Sequence, residues 1–133
     1  MILNKELLAD SAGAGRQRGG PGQVMTFKNT GDDVVNARVR PDKIFCAPPG
    51  LEGGDPGKTG EVRFNGEVIT QFPILAFAPG DEIELRMPGG AGFGAAAQRD
   101  PSSIERDLAD GIVTAEGARS EYGFAAGTRA SDA

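Results

Sequence analysis

Glu61-Val62-Arg63-Phe64-Asn65-Gly66-Glu67-Val68-Ile69-Thr70 is two short alternating segments folded about an Asn-Gly dipeptide. A two-residue type I′ turn needs positive φ at both central positions, which asparagine and glycine tolerate best, so this stretch predicts an antiparallel hairpin. Downstream, Ile83, Leu85 and Met87 alternate with Glu82, Glu84 and Arg86, the period of a half-buried strand. Pro79-Gly80-Asp81 turns the chain into that strand, and Pro88-Gly89-Gly90 ends it. Upstream, Val35, Ala37 and Val39 alternate with Asn36, Arg38 and Arg40, while Gln23 to Lys28 carries Val24, Met25 and Phe27. The turn-forming run Asn29-Thr30-Gly31-Asp32-Asp33 predicts a second hairpin joining these two segments. Pro48 to Gly60, rich in glycine and proline, reads as a long ordered loop.

After Gly94 the period changes from two to nearly four. Asp100 is placed to cap a helix whose first residue is Pro101; Ile104 and Leu108 share its inner face, and Gly111 supplies a left-handed end. Thr114 caps a second short helix in which Ala118 and Tyr122 share a face and Gly123 is the stop. The expected fold class is therefore α+β: a β-rich antiparallel hairpin region over 1–94 with two glycine-rich loops, a short helical pair over 95–124, and a flexible tail over 125–133, together one domain.

Of 133 residues, 21 are glycine and 9 proline, and the eight aromatics include no tryptophan. So few large side chains make a thin core, which leads us to expect a fold that leans on a neighbour. The net charge of −5, without a basic patch interleaved with aromatics, argues against nucleic-acid binding. No stretch approaches the roughly 20 apolar residues of a membrane span, and the beginning Met1-Ile2-Leu3-Asn4-Lys5-Glu6 lacks a signal-peptide apolar region. A single cysteine fits a reducing compartment, with the cytoplasm as default.

Glycine is concentrated in two blocks, Ala12 to Gly22 and Pro88 to Gly94. Such blocks mark unusual backbone conformation or close approach of two chains. In the first, Arg16 and Arg18, beside Gly19 and Gly20, can clamp a carboxylate or phosphate in a bidentate fork, or can hold the loop to a neighbour through ion pairs. Gly13-Ala14-Gly15-Arg16-Gln17-Arg18 departs from a dinucleotide fingerprint because Arg18 stands where a third glycine belongs. In the second block, Gly89 and Gly90 either offer amides to an anion or let the backbone pass close to another segment. Phe93 is either an anchor in a partner's pocket or a lid on the domain's own core.

Glu52-Gly53-Gly54-Asp55-Pro56-Gly57-Lys58-Thr59 nearly spells a phosphate-binding loop, but Glu52 replaces the first glycine, Pro56 lacks an amide and a strand, not a helix, follows. We read it as a tight connection. Histidine is absent, which removes Ser-His and Cys-His pairs and imidazole metal ligands. Cys46, beside Ile44 and Phe45, reads as a small core residue rather than a nucleophile. No catalytic or metal-ligating residue is expected in this chain.

Several blocks together resemble the carboxyl-terminal part of the hydantoinase B family, the second subunit type of ATP-dependent hydantoinases, oxoprolinases and ketone carboxylases. Asp10-Ser11-Ala12-Gly13-Ala14-Gly15-Arg16-Gln17-Arg18-Gly19-Gly20-Pro21-Gly22 is similar to that family's Asp-Ser-Gly-Gly-x-Gly-Arg-x-Arg block. Ala47 to Gly57 resembles its Pro-Pro-x-Gly loop, and Pro79 to Gly94 its Pro-Gly-Asp strand and glycine turn. Arg99-Asp100-Pro101, Asp107, Asp110-Gly111-Ile112-Val113 and Tyr122-Gly123 resemble its closing helices, the match running over about residues 8–124. Ala12, Ala91 and Phe93 depart from the usual glycine or tyrosine, as Ala95-Ala96-Ala97 does from a more polar stretch. The resemblance implies partners: a hydantoinase-A-type ATP-binding subunit and a larger hydantoinase-B-type subunit. It implies ATP and a divalent metal for the complex, with no cofactor bound by this chain. A short separate chain would suit a complex with a divided large subunit, of the acetophenone-carboxylase type.

Overall fold

The computed structural model describes residues 1–125; the tail expected from 125 onward lies, beyond Ala125, outside the described residues. The fold is α+β. Seven strands run in chain order: β1 (Ile2–Leu7), β2 (Gln23–Lys28), β3 (Val35–Ala37), β4 (Glu61–Phe64), β5 (Glu67–Ile69), β6 (Leu75–Phe77) and β7 (Glu82–Arg86). A 3₁₀ turn at Ala96–Gln98 leads to helices α1 (Pro101–Ala109) and α2 (Ala115–Tyr122). Five strands form one antiparallel sheet in the order β1-β2-β7-β4-β5, and β3 and β6 form a separate pair.

The Asn-Gly hairpin forms as the sequence predicts, with φ of 50° at Asn65 and 84° at Gly66. The Asn65 side chain also clamps the start of β7, donating to Asp81 Oδ1 at 3.0 Å and accepting the Glu82 amide at 2.8 Å. Pairing places Met25, Leu85, Val62 and Ile69 in one row across the sheet, and Phe27, Ile83 and Phe64 in the next. Opposite residues in an antiparallel ladder point the same way, and the two rows share a face because they are two residues apart along each strand they share. The other face carries the ion pairs Lys28–Glu82, Glu61–Arg63 and Glu84–Arg86.

The hairpin expected between β2 and β3 does not form. β2 lies between β1 and β7, and β3 pairs with β6 instead. Asn29 explains the departure. Its backbone exchanges hydrogen bonds with Asp81 and Gly80, while its amide side chain donates to the carbonyls of Asp33 and Phe77. The turn is thereby fastened to the segment before β7, which directs the chain off the sheet and leaves the β2 edge free for β7. β1 and β6 carry little sequence signal. β1 contains Asn4-Lys5-Glu6, poor strand formers, and exists through backbone pairing with β2.

Both helices start and stop where their caps predict. Asp100 accepts the Ser102 amide at 2.9 Å and Pro101 opens α1. Thr114 accepts the Gly117 amide at 3.0 Å, and Gly111 and Gly123 take φ of 73° and 65° after the last turns. Ile104, Val113 and Ala118 form a small buried core between the helices, flanked by Leu108, Ile112, Tyr122 and Phe124. The sheet contributes buried Val24, Val62 and Ile83. Many apolar side chains remain outside: Ile2, Leu3 and Leu7 on the edge strand β1, and Val35, Phe45, Leu51 and Ile74 on connections or short strands. Cys46 is exposed, not in the core as its apolar neighbours suggest, because the segment that carries it loops off the sheet.

Candidate functional site

Three glycine-rich segments meet backbone to backbone beyond the strand ends where β1 and β7 finish and β2 and β4 begin: residues 11–22, 50–58 and 88–94. The amide of Gly13 donates to Gly90, that of Gly90 to Gly20, and that of Gly19 back to Gly13, at 2.7–3.0 Å. The amide of Gly92 donates to Asp55 at 2.9 Å, and that of Asp55 to Ala14 at 2.8 Å. Gln17 and Phe93 exchange both of their backbone bonds, and Leu51 lies parallel to Phe93 on the other side. Glycine is required for this approach: a Cβ on Gly19 would fall on the Gly90 carbonyl, one on Gly89 on that of Ser11, and one on Gly92 on that of Ala14.

The arrangement commits the donors that an anion would need. From Gly89 to Gly94, the amides of Gly89, Gly90, Gly92, Phe93 and Gly94 donate to Lys58, Gly20, Asp55, Gln17 and Leu51 carbonyls. In the loop that nearly spells a phosphate cradle, the amides of Gly54, Asp55 and Lys58 donate to the carbonyls of Leu51, Ala14 and Ser11, so these three are not free to hold a phosphate. Gly20 is the exception among these glycines, with open space where a Cβ would stand.

The two arginines of the first loop have different surroundings. Arg18 grips Asp107 of α1 through Nε at 3.0 Å and Nη2 at 3.1 Å, and donates through Nη1 to the Gly19 carbonyl. Arg99 donates to the same Asp107 carboxylate at 2.7 Å and to the Arg16 carbonyl at 3.2 Å, with its guanidinium 6.0 Å from the Tyr122 ring centroid. Burial alone would raise the Asp107 pKa; the hydrogen bonds and charges of Arg18 and Arg99 outweigh it and hold the carboxyl below its ordinary value. Arg16 is exposed and makes no ion pair among the described residues. Its guanidinium lies 5.9 Å from the Phe93 ring centroid, and the two line a cleft of about 310 Å³ with Glu52, Gly94, Ala95 and Gln98. Phe93 is 41% exposed, so it does not lid the domain's own core.

Asp10 and Ser11, at the start of the first loop, have roles that spacing alone did not reveal. Asp10, at φ 59°, accepts the Thr114 amide at 2.9 Å and the Thr114 hydroxyl at 2.6 Å, tying the loop to the start of α2. Buried Ser11 donates to the Leu8 carbonyl and accepts the Gly22 amide, both at 2.7 Å, closing the loop at its base. Glu121 lies near Asp10, Asp55 and Lys58; burial raises its pKa, Lys58 opposes that, and the two aspartates add to it. No group of three or more cysteine, aspartate or glutamate side chains among the described residues is arranged to hold a metal ion. No described helix is long and apolar enough to cross a membrane.

The model of the hydantoinase B/oxoprolinase family matches residues 1–96, a span that includes all three glycine segments. The chain belongs to that family. Among its relatives, it is 33% identical over 126 residues to an uncharacterized protein of Methanocaldococcus jannaschii, covering 92% of this chain and 22% of that protein. It is 28% identical over 125 residues to the B-type component of a putative D-/L-hydantoinase from a Pseudomonas species, covering 89% and 21%. It is 29% identical over 136 aligned positions to the beta chain of the caprolactamase of Pseudomonas jessenii, covering 92% and 22%. The fold is shared with the ATP-dependent caprolactamase of Pseudomonas jessenii (TM-score 0.72, 20% identity, 99% of this chain, 25% of that one). It is also shared with acetone carboxylase in its nucleotide-free structure (TM-score 0.64, 19% identity, 92% and 21%). The chain thus spans between a fifth and a quarter of the length of these relatives.

Proposed function

We propose that this chain is a structural segment or small subunit of an ATP-dependent hydantoinase-B-type assembly that hydrolyses a cyclic amide or carboxylates a ketone. A hydantoinase-A-type ATP-binding subunit and a larger B-type subunit are its partners. The observation that carries this reading is the apolar surface left uncovered by so small a core: Ile2, Leu7, Leu51 and Phe45 are 56–77% exposed. The relatives, four to five times longer, supply the kind of chain that covers it. ATP and divalent metal are assigned to those partners; for the nucleotide this is supported by the amides of Gly89, Gly90, Gly92, Phe93 and Gly94, which are already bonded to carbonyls. Affinity capture of the chain from native extract tests the reading. Co-recovery of an ATP-binding subunit is expected; recovery of a compact monomer that turns over substrate unaided would refute it.

A second reading is that the chain lends an anion-binding group to the active site. Arg16 favours it, because it has no carboxylate partner among the described residues and shares a cleft with Phe93, whereas Arg18 is engaged by Asp107. In this reading Arg16→Lys lowers turnover of the assembly without releasing the chain from it.

A further inference from the structure

A second cleft, lined by residues distinct from those of the Arg16 cleft, has the composition of a ligand site. It lies between the segment 38–44 and the adjoining ends of β4 and β7, and its volume is about 400 Å³. Small-molecule sites typically occupy about 300–1,000 Å³, with mostly apolar walls and a few charged groups that fix orientation. The walls here are Val39, Ile44, Val62, Leu85 and Met87. Val62 is 2% exposed and Leu85 is its direct cross-strand partner, so the floor is rigid sheet rather than loop.

The charges around this cleft do not cancel. Glu61 is paired with Arg63, and Arg86 with Glu84. That leaves Arg38 and Arg40, neither of which makes an ion pair or side-chain hydrogen bond among the described residues, against Asp42, with the other lining carboxylate, Glu61, already engaged by Arg63. Two unpaired guanidiniums beside an apolar cavity, on a chain whose net charge is −5, form a local inversion of the protein's overall field. Guanidinium recognises carboxylate through paired N–H donors, and an apolar wall recognises the remainder of a molecule that carries one.

We propose that this cleft binds a small organic acid, with an apolar body against Val39, Val62 and Leu85 and its carboxylate held by Arg38 and Arg40. The site is separate from the Arg16 cleft and does not depend on the assembly reading.

Phenylacetate and its neutral isostere phenylacetamide are suitable probes, titrated against the full chain together with any subunits that copurify. Methyl resonances of Val39, Val62 and Leu85 report occupancy of the cleft. Saturable shifts at those methyls with phenylacetate are expected, and at least about tenfold weaker binding of phenylacetamide, since a hydrogen bond to a charged group is lost. R38Q/R40Q should weaken phenylacetate by a similar factor and leave phenylacetamide unchanged. Both arginines are exposed, so the double variant keeps the fold. Equal affinity for acid and amide in the unmodified chain overturns the proposal, whatever the variant does. So does binding that maps to other methyls, an absence of saturable shifts, or an R38Q/R40Q protein that binds phenylacetate as before.

Discussion

Arg18, in the first glycine loop, and Asp107, on α1, lie 89 residues apart and are joined by two parallel hydrogen bonds of 3.0 and 3.1 Å. The pair fastens the β-rich part to the helices, and Arg99 makes it a triad with more positive than negative charge. The side chains of Asp107 and Arg99 are only 6% and 9% exposed, and that of Arg18 22%, so loss of the carboxylate strands Arg99 away from water and leaves Arg18 partly hydrated. Breaking a buried pair in this way costs about 3–5 kcal/mol. Asp107→Asn is therefore expected to lower stability by about 3 kcal/mol in chemical denaturation, and Arg18→Lys by less, because one charged contact survives.

The same carboxylate predicts a pH dependence. Asp107 has its pKa depressed below the ordinary 3.8 in the folded chain. The stabilisation it contributes is fully present above the unfolded value and is lost as pH falls through the folded one. Denaturation followed from pH 6 down to pH 2 should show a loss of stability below about pH 4 that is shallower in Asp107→Asn. Parallel curves for the two proteins would show that the triad does not carry the acid sensitivity.

Gly19 and Gly20 are neighbours with opposite tolerance. A Cβ at Gly19 would strike the Gly90 carbonyl, while at Gly20 nothing lies within 4 Å. Gly19→Ala must push two backbones apart, at a cost of about 1–3 kcal/mol or more, whereas Gly20→Ala should change stability by less than about 0.5 kcal/mol. Thermal melts of the two single variants make the comparison directly. Equal melting temperatures would mean that the segments are not packed as closely as described.

What could be read from the sequence was local. Asn65-Gly66, the Asp100 and Thr114 caps and the glycine stops at Gly111 and Gly123 each act through a few neighbouring residues, and each forms where its chemistry predicts. The partners of long-range contacts were not legible in the same way. The turn Asn29 to Asp33 looks like a hairpin in isolation, and only the distant carbonyl of Phe77 and the backbone of Asp81 redirect it. Both arginines of the first loop look equivalent as residue types; their separation into a buried tie and an exposed group depends on Asp107. The glycine blocks pointed to close backbone approach, but which segments approach one another is set by the sheet order β2-β7-β4, not by glycine.

Asp10 offers a stability test independent of the arginines. It sits in the left-handed region, which non-glycine residues seldom occupy, and its carboxylate accepts both the amide and the hydroxyl of Thr114. Asp10→Ala keeps the unfavourable φ and removes both bonds, so a loss of about 1–2 kcal/mol is expected. Asp10→Asn retains an acceptor and tolerates the same backbone, and should lose less. Hydrogen exchange at the Gly117 and Ala118 amides should quicken in Asp10→Ala, because α2 then begins without its anchor to the first loop.

Arg16 separates the structural reading of the glycine loops from the anion-binding one. Its side chain is exposed and bonded to no carboxylate among the described residues, so Arg16→Ala should shift the melting temperature little, in contrast to Arg18→Ala. If the chain acts only as a structural part of its assembly, turnover of the assembly is also unchanged. If Arg16 holds a carboxylate or phosphate beside Phe93, Arg16→Ala and Arg16→Lys both lower turnover while the subunits still copurify. Lysine fails there because it cannot reproduce the two-pronged contact of a guanidinium. The measurement is steady-state turnover of the purified assembly alongside its subunit composition. A loss of activity that accompanies loss of the chain from the assembly counts for the structural reading, since the binding reading requires the two to separate.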